Sequence, residues 1–459
     1  MFALPGILAL LVFLYARPQE FFDSLQRVPF LYLFLVLAFF GYAVDLRLRI
    51  ARPALAPQLW LVILFVIWAI VTVIVKAPDT AFENGLAIAI PITGYIVISQ
   101  SVQTFKALEL IAGTLLAMSL FLSVVGIHQG QADFGCVILD PQGVGDLHVG
   151  QADGRPCKDR DECYGVGKDP GKEYMCERIG LFGTTSVAEG RVRYRGILQD
   201  PNELALAIGM TLPFAFAFAA RRRKTSTQIL LYVSLIAILI CTLLTKSRTG
   251  QLVFLSAVGI YVVKRYGWRG IVAGAVMALP VLILGGRGGA EATESSLGRL
   301  EAWNTGIDLF RVSPVFGVGL GQFNEYHHLT AHNSYVLALA ELGLPGLVLW
   351  IAVLYLSIKI VVVGYFRYAG RAGAEVARDW ALALIAAFAA LLVGIFFLSF
   401  TYHSVLWIYA GLAGAYYSCA RTHDPEWRVR FGVLDAILVV AFSLALIAMF
   451  VVYLRLNPV

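Results

Sequence analysis

A chain of 459 residues that is 59% hydrophobic and 14% charged is no ordinary soluble domain, because its apolar runs repeatedly reach the length that spans a bilayer. Its formal net charge of +6 sits mostly on the connections between those runs, so it makes no case for nucleic-acid binding. The chain reads as an all-α, polytopic transmembrane bundle of 12 to 13 spans with two long outward loops.

Five apolar runs, roughly 2–15, 29–45, 57–75, 81–99 and 107–127, make an N-terminal group of spans over residues 1–127. The first follows almost directly on Met1, with neither a basic leader nor a convincing small-residue cleavage site, and is expected to be retained as a helix. Residues 128–201 form a polar loop rich in Gly, Asp and Cys. Cys136, Cys157, Cys163 and Cys176 all fall in it, which in an exported segment predicts two disulfides with three connectivities left open. A zinc site is the alternative, although the spacings match no usual finger. Asp159, Asp161 and Glu162 could hold calcium but lack the spacing of an EF-hand, and read better as solvated charge. Cys241 and Cys419, within spans, read as small apolar fillers.

Four further runs, roughly 202–219, 228–245, 249–263 and 270–285, fill residues 202–285. The second polar loop, 286–331, leaves the ninth span through Gly285-Gly286-Arg287-Gly288-Gly289. From Ser295 to Phe310 the apolar Leu297, Leu300, Ala302, Trp303, Ile307 and Leu309 recur at mainly helical spacing, flanked by Arg299 and Arg311; an amphipathic helix near the membrane surface is expected. Gly317-Val318-Gly319-Leu320-Gly321 lacks the preceding strand and the terminal Lys-Ser/Thr pair of a phosphate-cradling loop, and reads as a tight turn back to the membrane. Residues 332–459 supply the last spans, roughly 333–358, 379–399, 404–420 and 431–454. There is no evident internal repeat and no symmetric pair of Gly/Pro-interrupted spans, which lowers the case for an inverted-repeat transporter.

Orientation follows from Lys and Arg in the short connections. Arg47, Arg49, Arg52, Lys106, Arg221 to Lys224, Lys264, Arg265, Arg269, Lys359, Arg367, Arg371, Arg378, Arg421, Arg428 and Arg430 make eighteen on one side, against six on the other. The richer side is expected to be cytoplasmic, with the amino terminus inside and both long loops outside, in an oxidising compartment.

Three polar clusters lie at outward span ends, where ionisable groups are costly unless used. Asp200-Pro201-Asn202-Glu203 has an immediate structural reading as N-cap, first helical position and capping-box partner, but Asn202 is not needed by that cap. In Lys246-Ser247-Arg248 the lysine reads as a snorkelling side chain, whereas Arg248 opens a span beside Thr249-Gly250 with little loop to carry it away. Asn333 and Ser334 could be ordinary helix-start residues; His332 is neither core filler nor cap, and imidazole is the side chain whose ordinary pKa lies near neutrality. If Arg195, Arg248 and His332 meet, two permanent cations and a base suit a diphosphate leaving group and an acceptor hydroxyl.

Arg195-Gly196-Ile197 to Asp200-Pro201-Asn202-Glu203-Leu204-Ala205, then Ser247-Arg248-Thr249-Gly250, resemble the bacterial O-antigen ligase and polymerase superfamily. So do Arg299 with Trp303, Pro314 to Gly321, and His332-Asn333-Ser334-Tyr335 leading to Glu341-Leu342-Gly343; the resemblance covers roughly residues 190–360 by motif. It implies a GT-C-like glycosyltransferase of the bacterial inner membrane, working at the periplasmic face on an undecaprenyl-diphosphate-linked glycan donor, inverting, with no metal and no other cofactor. His332 would be the base on the acceptor hydroxyl and Arg195, Arg248 and Arg299 would bind the donor diphosphate, with Asp200, Asn202, Asn333 and Tyr335 in support. The implied partners are that donor, a sugar-hydroxyl acceptor (a lipid-linked repeat unit or lipid A-core), the bilayer and polysaccharide-assembly proteins, and no nucleic acid. The cysteine-bearing first loop and a thirteenth span depart from the common pattern. A polymerase is the leading expectation; a ligase would use the same residues on another acceptor, and a lipid-linked sugar flippase, the remoter alternative, should carry its polar groups at mid-membrane depth.

Overall fold

The computed structural model describes residues 1–53, 55–139, 151–164, 172–187, 190–220, 224–272, 274–276 and 290–457. Most of the predicted span 270–285, and Gly285 to Gly289, lie outside the described residues. In chain order come α1 Ala3–Tyr15, α2 Phe30–Arg47, α3 Leu59–Lys76, α4 Ala81–Ser101 and α5 Phe105–Gln131, then strands β1 Phe134–Leu139, β2 Gln151–Pro156 and β3 Glu173–Arg178. They are followed by α6 Pro201–Gly209, α7 Leu212–Ala219, α8 Thr225–Leu244, α9 Arg248–Tyr266 and α10 Ala290–Val312. The last four are α11 Ser334–Tyr368, α12 Glu375–Ile395, α13 Ser404–His423 and α14 Val433–Leu456.

Among the described residues, nine helical segments are long and apolar enough to cross a membrane, so the protein is an all-α polytopic membrane protein. On α14 the exposed positions include Val433, Leu434, Ile437 and Leu438, a surface that suits hydrocarbon and not water. The predicted span at 404–420 forms α13 but is not among the nine. Every residue from Ser404 to Ala420 is buried, so α13 is surrounded by protein and can carry Ser404, Ser418, Gly411 and Gly414, which let neighbouring helices approach closely. The predicted span 202–219 is two helices, with Met210 and Thr211 between them and Pro213 in the first turn of α7.

The chain divides into two compact units, one of Met1–Ile7, Tyr32–Ile111 and Gly288–Val459, the other of Leu8–Leu31 and Ala112–Arg287. In the first, α13 packs on α4 and on α11, which also packs on α3 and α12. The second contains a three-stranded antiparallel sheet in the order β2-β1-β3, with Cys136 of β1 opposite Cys176 of β3. Those two cysteines do not join each other. The disulfides are Cys136–Cys163 and Cys157–Cys176, which selects one of the three pairings. Their sulfurs and Tyr174 form the small core of this module, a substitute for the apolar interior that so short a segment cannot build.

Candidate active site

The second unit assembles two of the three polar clusters. The segment Arg191-Val192-Arg193-Tyr194-Arg195 lies along the corner between α8 and α9, where Val192 N donates to Leu244 O at 3.3 Å and Arg191 Nε to Thr245 O at 3.1 Å. Asp200 caps α6 by accepting from Asn202 N at 2.6 Å, and the capping box with Glu203 is complete. The Asn202 side chain reaches further: its Nδ2 donates to Asp200 Oδ1 at 2.7 Å while its Oδ1 accepts from Ser247 Oγ at 2.5 Å. Ser247 in turn caps α9 through Gly250 N at 2.9 Å. One buried amide thus ties together the N-termini of two helices, whose outermost N–H groups and dipoles favour an anion nearby. Arg248 is the first residue of α9 and is exposed. A cation there opposes the helix dipole, so helix stability is no reason for its position.

Arg195 is engaged differently. Its Nη1 donates to Glu20 O at 3.2 Å, its Nη2 to Phe182 O at 2.9 Å and Gly183 O at 2.7 Å, and the guanidinium lies 5.2 Å from the centre of the Phe21 ring. Burial holds its pKa below the ordinary arginine value, with Glu20 opposing that shift. Arg193, which no sequence motif singled out, is the more deeply set: its Nε donates to Thr185 O at 3.0 Å and its Nη2 meets Glu177 at 3.4 Å. Burial raises the Glu177 pKa and lowers that of Arg193, so desolvation outweighs the attraction across this long ion pair. Arg193 also feels the charge of Asp200. The alternation of arginines at 191, 193 and 195 was the signal available for it.

The first unit holds the third cluster. His332 is half-buried with a left-handed backbone at φ 46°, directly before α11. Its neighbours fix that entry. Asn333 Oδ1 accepts from Tyr335 N at 2.9 Å and Val336 N at 3.0 Å, and Asn333 Nδ2 donates to Phe396 O at 2.8 Å. Ser334 Oγ donates to Leu398 O at 2.6 Å and accepts from Phe400 N at 2.8 Å. The Tyr335 ring packs 5.3 Å from Trp350 and 6.3 Å from Phe396. Asn333, Ser334 and Tyr335 therefore anchor the start of α11 to residues 396–400, and His332 stands immediately ahead of that anchor as the imidazole of the motif.

Arg299 belongs to α10, one turn before Trp303, which packs on Phe396 at 5.9 Å and Phe450 at 5.4 Å. The residues expected to form an amphipathic helix are helical as part of α10, and the face carrying Ala302, Trp303 and Ile307 is buried against α11 and α14. The Phe396 ring contacts both Trp303 and Tyr335, which sets α10 beside the entry to α11.

The turn at Gly317 to Gly321 also has a defined role. Helix α11 breaks at Gly343 (φ 66°, ψ −170°), and Pro345 has no N–H for the Glu341 carbonyl. Val318 N donates to Ala340 O and Gly319 N to Glu341 O, both at 2.9 Å, while Trp68 Nε1 donates to Leu342 O at 2.9 Å. Leu344 N finds Pro314 O at 2.9 Å. The buried Glu341 carboxylate accepts from Phe323 N at 3.0 Å, so it braces the loop that precedes His332.

Residues 232–351 match the family model described as O-Antigen ligase. The matched stretch contains Arg248, Arg299, His332, Asn333 and Tyr335, and ends before it would reach α12; Arg195, Asp200 and Asn202 precede it. No curated protein matches the chain.

Proposed function

We propose that the chain is a membrane glycosyltransferase that polymerises undecaprenyl-diphosphate-linked glycan repeat units at the periplasmic face, a reading supported by the match of residues 232–351 to the family model described as O-Antigen ligase. The observation that carries this reading is His332: the three residues that follow it cap α11 or pack its first turn, and the imidazole stands at the mouth of that helix. Neutral imidazole takes the proton of the acceptor hydroxyl as its oxygen bonds to the donor's anomeric carbon from the face opposite the leaving group. The bond from that carbon to the diphosphate oxygen breaks, and negative charge gathers on the departing diphosphate. Guanidinium groups keep their proton and present a fork of donors, which suits Arg248 and Arg299 to that charge with no metal required. Arg195 and the braced caps of α6 and α9 support the donor side; the Arg195 guanidinium already serves three backbone carbonyls, so its share in direct diphosphate contact is the smallest.

A ligase that moves the finished glycan to lipid A-core is the second reading, favoured by the description of the matching family. Purified protein supplied with a defined lipid-linked oligosaccharide separates the two. A product ladder at repeat-unit intervals is expected. Absence of product until lipid A-core is added would replace the polymerase with the ligase, and absence under both conditions would remove the glycosyltransferase reading.

A further inference from the structure

Within the first unit, far from His332, the ends of α2, α4 and α13 and the segments that follow them enclose a cavity of about 470 Å³. Its walls include Arg49, Arg52 and Arg421 and contain no carboxylate. Helix α13 runs 20 residues from Ser404 to His423, so Arg421 lies roughly 30 Å along the bundle from the 396–400 segment that anchors the His332 helix. The frame is well tied: Gln103 Oε1 accepts from Arg52 N at 3.0 Å, and Gln103 O accepts from Thr422 Oγ1 at 3.2 Å.

Several other cations in the same part of the fold are already neutralised by carboxylates. Lys359 pairs with Asp435 at 2.7 Å, Arg378 with Asp379 at 2.8 Å, and Arg367 and Arg371 share Asp424 at 2.9 and 3.5 Å. Asp424 is therefore taken, although Pro425 beside it lines the cavity. Among the described residues Arg49, Arg52 and Arg421 have no ion pair, and the Arg421 Nε is buried without a hydrogen bond while its guanidinium sits 5.7 Å from the Tyr417 ring centre. Three guanidinium groups from two distant parts of the chain around one concavity, with no carboxylate lining it, repel one another unless an anion joins them. Arginines that only marked topology would need no common cavity and no buried donor.

We propose that this cavity binds a phosphate-bearing anion, held by Arg49, Arg52 and Arg421. Phosphate oxygens match the guanidinium fork, and the two sources with that chemistry are the headgroup of an acidic phospholipid and a soluble phosphate or diphosphate. The site does not depend on the glycosyltransferase reading.

The test is thermal melting of the full-length protein in neutral detergent, titrated separately with cardiolipin, phosphatidylcholine and inorganic diphosphate. A saturable rise in melting temperature with cardiolipin or with diphosphate, and none with phosphatidylcholine, is expected. A response to cardiolipin alone assigns a lipid headgroup; a response to diphosphate assigns a soluble anion. Arg421→Gln and Arg52→Gln should each raise the midpoint at least tenfold, while Arg378→Gln, whose parent is already paired, should leave it unchanged. Arg52 is exposed, so its variant keeps the test available should Arg421→Gln fail to fold. Melting that ignores both probes, or an equal loss in Arg378→Gln, would overturn the site.

Discussion

His332 combines the two properties that make a residue worth testing singly. It holds a left-handed backbone that costs a side-chain-bearing residue on the order of 1 kcal/mol, and it is the titratable group that opens its motif. Asparagine tolerates that backbone but cannot take a proton near neutrality. His332→Asn should therefore keep the wild-type melting temperature and lose transfer by at least about a hundredfold, the usual contribution of a general base. Transfer within a fewfold of wild type, measured in purified protein, would end its assignment as the base. Asn202 teaches the complementary lesson. Its own cap does not account for it, and the reason is a partner 45 positions away, Ser247, that no local pattern could supply.

The break in helix α11 and the loop before His332 are one construction. Gly343 has a backbone conformation open almost only to glycine, and a β-carbon there would collide with the Val315 and Pro314 backbone. Gly343→Ala should lose about 3 kcal/mol or more, or fail to accumulate, whereas Gly370→Ala, also at positive φ but in open space, should lose about 1 to 2 kcal/mol. Equal melting of the two variants in detergent would show that the loop does not depend on the break. The apolar run through 333–358 made a helix legible, yet its interruption was not, because Gly343 and Pro345 are tolerable in a span only where another segment satisfies the freed carbonyls. The small sheet was equally hidden: its strands carry few of the β-branched alternations that mark a strand, and two disulfides hold what periodicity does not announce.

Over the full chain, the asymmetry of eighteen basic residues against six carries a sidedness that can be measured directly. Tyr326→Cys, at a position 58% exposed in the loop before His332, should react with a membrane-impermeant maleimide in right-side-out vesicles. Glu426→Cys, exposed beyond α13, should react only in inverted ones, and the free Cys241 and Cys419 are buried and should stay silent. The reverse pattern would place His332 on the cytoplasmic side and remove the proposed donor. The linear chain was enough to establish a helical membrane protein and to point toward this superfamily, since hydrophobic length, basic bias and short motifs are local properties that a bilayer enforces residue by residue. It took the packed molecule to fix which cysteines pair, that Asn202 bridges two helix caps, that Arg193 feels the charge of Asp200 and that Arg195 is largely engaged. Those outcomes depend on which distant groups satisfy one another's hydrogen bonds and charge once water is excluded, and the order of residues carries no direct record of that.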